Sequence, residues 1–330
     1  MTSASYFEYE VSNVILIMLV PRFSALGVPL LAAALVFTRT GALSIPCSQI
    51  SQVSRREVVV GSAAVAAAAV LTEPKWAEAA IGGQGLAAKL SQRDPAALRN
   101  SIFNVPPSAQ IYPNFLRGEW EVTSKFSGFL FPSKTVPKAK IIADVTIPGF
   151  QKCSIAAICD VGKEETRYTM RIDSVTGLED RPITLASQID ANLGYKAVKD
   201  VPYDGAANPN RISVTFVPNR TRNAERIELF CNARESELVM SPADETLGIF
   251  VCSEYVRQVT FSLSQEFGVA RQVVGNYSHF WTWRESRDRD RLTGNVLTAV
   301  YLDPQSPLFF DEPSKPVVVY SHELTAQRSA

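Results

Sequence analysis

From Tyr112 onward, apolar and polar residues alternate with a period of two, and this constrains the fold more than any other feature of the chain. Trp120, Val122 and Phe126 share one face of a strand opened by Gly118. Tyr168, Met170 and Ile172 alternate with Arg167, Thr169, Arg171 and Asp173, and Ile212, Val214 and Phe216 with Arg211, Ser213 and Thr215. Ile227, Leu229 and Cys231 repeat the pattern. Side chains of a strand point to opposite faces in turn, so each run predicts one buried face and one wet face. Further strands are expected over residues 141–147, 153–159, 249–263, 269–283, 296–302 and 317–324. Turn signals such as Asn208-Pro209, Pro218-Asn219, Asp303-Pro304 and Glu312-Pro313 fall between several of them. About nine or ten strands with hardly any helix predict an all-β fold, an antiparallel barrel, with a β-sandwich as the alternative. Closure of a barrel would remove the exposed edges that so many strands otherwise present.

Composition narrows the function classes. Lys and Arg total 33 against 33 Asp and Glu, a balance that gives no electrostatic reason to bind nucleic acid or an anionic membrane. With 46% hydrophobic residues the chain is not a disordered one. Two histidines and five cysteines supply a metal centre poorly, so no metal ligands and no cofactor are expected. There is no Gly-x-Ser-x-Gly, Walker loop, dinucleotide fingerprint or paired Cys-x-x-Cys. The reading therefore leans away from an enzyme and names no catalytic residue.

The first 79 residues read as a series of addresses. The run 11–20, Pro21-Arg22 and the apolar stretch 25–37 have, read from Met18, the layout of a secretory signal, each piece being short of the roughly 20 apolar residues of a span. A tilted signal anchor is the competing reading, and translation from Met1 or Met18 stays open. Residues 38–54 contain four serines and no acid, as organelle transit segments do. Arg55-Arg56, the small apolar run 60–71 and Ala77-Glu78-Ala79 then form a Tat-type export signal with an A-x-A cleavage site. In series they predict delivery to a plastid and export into the thylakoid lumen, with a mature chain starting at Ala80 and carrying no membrane span. Residues 80–110 read as a linker with a short helix over 85–98, and 111–326 as a single β-barrel domain.

Several side chains are candidates for binding. Tyr277, His279, Trp281 and Trp283 fall on one strand face, either as an apolar pocket wall with one imidazole or as core packing. Arg257 and Arg271 enter the barrel if their faces point inward, with Glu254 or Glu266 as partners; otherwise they reach water at strand ends. His322, on the last strand, is expected to be structural and partly exposed. Cys231 and Cys252 lie on successive strands and are the better disulfide candidates, buried free thiols being the alternative; Cys153 and Cys159 on one strand would be about 20 Å apart. The run Arg284 to Arg291 alternates charge sign and predicts a solvated hairpin loop.

The segment Tyr112-Pro-Asn-Phe-Leu-Arg-Gly118-Glu-Trp120 resembles the opening of lipocalin-like barrels, which implies that Trp120 plugs one end; an ordinary core tryptophan is the other reading. Together with Asn208-Pro-Asn-Arg211, Arg226-Ile-Glu-Leu-Phe-Cys231 and the closing run Leu297 to Phe310 with Pro316-Val-Val-Val-Tyr320, it resembles an uncharacterised plastid and cyanobacterial family, a domain of unknown function. That resemblance implies location and an all-β shape, and assigns no site. Residues 188–204 stand as an insertion relative to shorter relatives. Two functions remain: a module binding a small apolar ligand, such as a pigment or lipid derivative, and an interaction protein assisting assembly of a photosynthetic complex.

Overall fold

The computed structural model describes residues 85–100, 106–144, 146–149, 165–221, 224–263 and 270–329. Nine strands form one sheet: β1 (Gly118–Leu130), β2 (Glu165–Ile172), β3 (Val198–Asp200), β4 (Arg211–Phe216), β5 (Arg226–Ser241), β6 (Asp244–Leu263), β7 (Ala270–Arg284), β8 (Arg291–Tyr301) and β9 (Pro316–Arg328). The order is β2-β1-β9-β8-β7-β6-β5-β4-β3, and every pairing is antiparallel. The fold is all-β, as the alternation predicts. Helices are α1 (Leu86–Ser91), α2 (Lys138–Ala143) and α3 (Arg181–Leu193).

The sheet curls. Helix α3, thirteen residues and so about 20 Å long, bonds Thr169 N of β2 and Val198 N of β3. These strands stand eight places apart in the order, roughly 38 Å in a flat sheet at ~4.8 Å per strand. Only curvature brings both within reach of one helix. One hydrophobic cluster runs from Tyr168 and Met170 of β2 to Phe250 and Cys252 of β6. The same cluster holds Trp120, Val122, Trp283, Val296 and Leu324, the inward residues of their strands. Trp120 is fully buried, donates its indole N–H to Leu116 O at 2.8 Å and carries the Arg328 guanidinium over its ring. Gly118 has φ +115°, and a Cβ there would lie 2.5 Å from Arg328 Nη1, so only glycine opens this strand without strain.

Among the described residues no ladder joins β2 to β3, the two ends of the sheet. Helix α3 touches both. Ser187 Oγ accepts from Thr169 N at 2.8 Å, and Thr184 Oγ1 from Arg171 N at 3.1 Å, so helix hydroxyls take the outward amides of β2. On its other side Asp190 Oδ1 accepts from Ala197 N and Val198 N, at 2.8 and 2.9 Å. Ile189 packs with Val198, Ile212, Val214 and Ile227. The helix starts at Asp180, whose carboxylate accepts from Ile183 N, has proline in its first turn and stops at Gly194 with φ 78°.

One expected strand is corrected. Residues 141–147 are not a strand: α2 ends at Ala143 and Ile141 and Ile147 are buried by a turn. The stretch expected as an insertion contains the end of α3 and all of β3. Within the stretch read as a linker with a short helix, α1 forms, and Leu86 and Leu98 pack on the outer face of the sheet against Tyr255, Phe280, Tyr301 and Val319. Tyr255 and Tyr301 donate to Arg99 O and Leu98 O, both at 2.7 Å. The charged run does join β7 to β8 as a hairpin. The expected strand 153–159, with Cys153 and Cys159, and the whole targeting segment, including Arg55, Arg56, Ala77 and Ala79, lie outside the described residues.

Replacing Thr184 by Val together with Ser187 by Ala leaves two edge amides without partners. Urea unfolding is expected to show a loss of about 2–4 kcal/mol, with the circular dichroism of the sheet retained at low denaturant.

Candidate functional site

The inner face of β6 presents Phe250, Cys252, Glu254, Val256 and Gln258; their partners on β7 are Trp283, Trp281, His279, Tyr277 and Gly275. On β8, Val296, Thr298 and Val300 face Trp281, His279 and Tyr277. The predicted stripe is therefore an interior one. Its members divide: Trp283 is closed in the core, where Gly294 opposes it and a Cβ would come within 2.9 Å of the indole. Tyr277, His279 and Trp281 instead line a cavity of about 100 Å³ between α3 and the inner face of β4 to β7. Leu185 of the helix and Ile212, Ile227, Leu229 and Val256 of the sheet form its apolar wall.

Its polar end is an ion cluster. Glu254 is buried, and its two oxygens meet both terminal nitrogens of Arg181, Nη1 to Oε2 at 3.0 Å and Nη2 to Oε1. Arg234 Nε donates to the same Oε1 at 2.8 Å. Arg181 Nε lies 3.6 Å from Glu179 Oε2, which also accepts from Tyr112 OH at 3.4 Å. Two guanidiniums thus face two carboxylates. Burial opposes ionisation of Glu254, but the two arginines outweigh it and hold its carboxyl down at about 2. Glu179 is shifted the other way: burial raises it, and Glu254 adds to the effect against the pull of Arg181.

Arg234 reaches the interior through a β-bulge. Cys231 pairs with Val256 but Ala233 with Tyr255, so Asn232 is an extra residue on β5. The insertion reverses the alternation: odd residues face inward through Cys231, and Arg234 faces inward after it. Simple period-two reading places Arg234 outside. Arg181 and Glu179 flank Asp180, the start of the unassigned helix; Asp180, Pro182 and Gly194 are the signals that mark it.

Beside the cluster, His279 Nδ1 lies 2.9 Å from Thr298 Oγ1, and its ring sits between Tyr277 and Trp281 at 5.0 and 5.1 Å. Tyr277 OH donates to Gln258 Oε1, and Gln258 Nε2 to Thr260 Oγ1. His322 is not partly exposed as expected. It is buried on the inner face of β9, edge-on to Phe126, with no hydrogen-bond partner for Nδ1. Burial pushes both imidazoles down to about 4, His279 with a smaller opposing pull from Glu254.

The remaining candidates fare differently. Arg257 is exposed on the outer face, because Glu254, Val256 and Gln258 hold the inner parity of β6. The Arg271 side chain lies outside the described residues. Cys231 and Cys252 are free thiols, not a disulfide. The register sets Cys231 opposite Val256 and Cys252 opposite Ser236. Four ladder positions, roughly 13 Å, separate them, beyond the reach of a bridge. Burial raises both, Cys231 to about 12, so neither is a thiolate nucleophile at neutral pH. No group of three or more His, Cys, Asp or Glu among the described residues is arranged to hold a metal.

Removing the shared carboxylate with Glu254→Gln leaves two buried guanidiniums poorly balanced, an expected loss of about 3–5 kcal/mol in urea unfolding. The histidines set a pH dependence. Their folded values lie below the ordinary 6.5, so the unfolded chain binds more protons between about pH 4 and 6.5. The stability they contribute is full above that window and falls by roughly 3 kcal/mol per histidine as the pH drops through it. Glu179 acts with the opposite sign. His322→Phe, which gives up no hydrogen bond at Nδ1, is expected to remove about half of this decline, measured as melting temperature against pH.

The model of DUF6816, a domain of unknown function, matches residues 105–330. No curated protein and no solved structure matches the chain. The match covers the curled sheet, α3 and the cavity between them, and the chain belongs to the DUF6816 family of domains of unknown function.

Proposed function

We propose that this domain is a non-enzymatic binding module that takes the apolar end of a small molecule into the cavity under α3. The observation that carries the reading is a built space with two characters. An apolar wall of Leu185, Ile212, Leu229, Val256 and Trp281 faces a polar end of His279, Gln258 and the Arg181–Glu254 pair. Such a division between apolar walls and a few placed polar groups is the usual make-up of a ligand site. Size limits the guest. A cavity of about 100 Å³ is smaller than the roughly 300–1,000 Å³ of sites that enclose drug-sized ligands, and close to one that admits a single benzene-sized ring. A pigment or lipid derivative would insert one ring or chain end, with an oxygen able to meet His279 or Gln258, and leave the rest at the mouth. The N-terminal sequence of signal, transit segment, Arg55-Arg56 and Ala77-Glu78-Ala79 supports residence in the thylakoid lumen of a plastid, with Ala80 as the first mature residue.

The test uses β-ionone, a single ring bearing a short conjugated ketone. Wild-type protein is expected to show saturable quenching of Trp281 fluorescence and one retained molecule by native mass spectrometry. Leu229→Phe, which fills the space, should abolish both while leaving the melting temperature unchanged or higher. Trp281→Ala should cost under about 2 kcal/mol, whereas Trp283→Ala, in the closed core, should cost about 3–5. Absence of saturation with the fold intact would favour the interaction protein over the binding module.

A further inference from the structure

At one end of the sheet two loops bring exposed aromatic and basic side chains together. Phe129 and Leu130, at the end of β1, are 40% and 45% exposed, and Phe310 is 82% exposed. Phe131 and Phe309 are partly buried against the same hydrophobic cluster, which contains Val136, Ile141 and Val317. Glu312 ties the loops to each other, accepting from Ser133 Oγ at 3.1 Å and Thr135 Oγ1 at 2.8 Å. Lys134, Lys138 and Lys140, all exposed, lie on the same stretch, which has no acidic residue from 129 to 143 and is followed by Asp144. Lys138 Nζ lies 4.9 Å from the Phe131 centroid and 5.8 Å from that of Phe129. Of the nearby acids, Glu312 is paired with Lys315 at 3.0 Å, and Asp311 is exposed. A neutral whole chain thus carries a locally basic, aromatic tip.

We infer that this tip docks on an anionic lipid surface. The composition separates lipid from protein as the partner. Cores of protein interfaces gather aromatics but exclude lysine. At a bilayer surface both are favoured, the rings lying at headgroup depth while lysine stems run along them and place their ammonium groups among lipid phosphates. Lys138, whose ammonium rests over the Phe131 ring, shows that a lysine stem from this stretch reaches the rings. The inference is independent of the cavity, since none of these residues lines it.

Full-length protein and variants share the same N-terminal segment, so differences between them isolate the tip. Co-sedimentation with vesicles of phosphatidylcholine alone and of phosphatidylcholine with phosphatidylglycerol is expected to show stronger binding to the anionic set. Lys134→Gln, Lys138→Gln and Lys140→Gln should each weaken that binding roughly fivefold and erase the preference when combined. Phe129→Ser with Phe310→Ser should weaken binding to both sets at least tenfold. Hydrogen exchange in 129–140 and 306–312 should slow on adding anionic vesicles. The lysine variants change only exposed side chains and decide the matter even if the Phe variant misfolds. Equal binding of wild type and variants overturns the inference. So does tip-dependent self-association without vesicle binding, which would assign the surface to a protein partner.

Discussion

Glu254 holds a guanidinium from each side, Arg181 from α3 and Arg234 from β5, and the position of the helix follows from that anchor. Two arginines with few partners would be costly to bury, and a carboxylate alone would be protonated or expelled. Shared, they fix three elements at one point: the start of α3, the bulged half of β5 and the centre of β6. From there the helix runs between the sheet ends, its hydroxyls on β2 and its Asp190 on β3. A helix cannot fill the gap as a strand would, because its side chains radiate around an axis instead of interleaving with a flat neighbour. The cavity beside Leu185 and Leu229 is the space this mismatch leaves.

Most of the sheet was legible because the alternation along Trp120–Phe126, Tyr168–Ile172 and Ile212–Phe216 reports directly which face is buried. The inward direction of Tyr277, His279 and Trp281 was equally available. Whether a given ring packs or borders a void was not, since that depends on what lies opposite, Gly294 for Trp283 and the helix for Trp281. The polar half of the site was hidden for two separate reasons. One inserted residue, Asn232, inverts the parity of β5, so Arg234 reads as solvated when it is buried. Glu179 and Arg181 stand on either side of Asp180, the cap of a helix whose start signals, Asp180 and Pro182, were in the sequence but went unassigned, while its end fell in the stretch read as an insertion. Neutral total charge likewise concealed the three lysines of the acid-free stretch from 129 to 143. Sums over a chain carry no information about where charges meet.

The site also accounts for where the protein places its ionisable groups. His279 and His322 lie within an apolar interior that favours their neutral forms, one with a hydroxyl partner and one without. A neutral imidazole can both donate and accept, which suits a site that greets an uncharged oxygen rather than an anion. The charges nearby are already matched to one another, and the thiols are held protonated.

The edge bonds of α3 have a consequence beyond the single molecule. A strand with unpaired amides invites a foreign strand to extend the sheet, and β2, at eight residues, is long enough to do so. Here the outward amides of Thr169 and Arg171 are taken by side-chain oxygens that cannot propagate a ladder. The helix is therefore a guard against polymerisation. Detachment of the helix would return these amides to the state in which a foreign strand can pair with them.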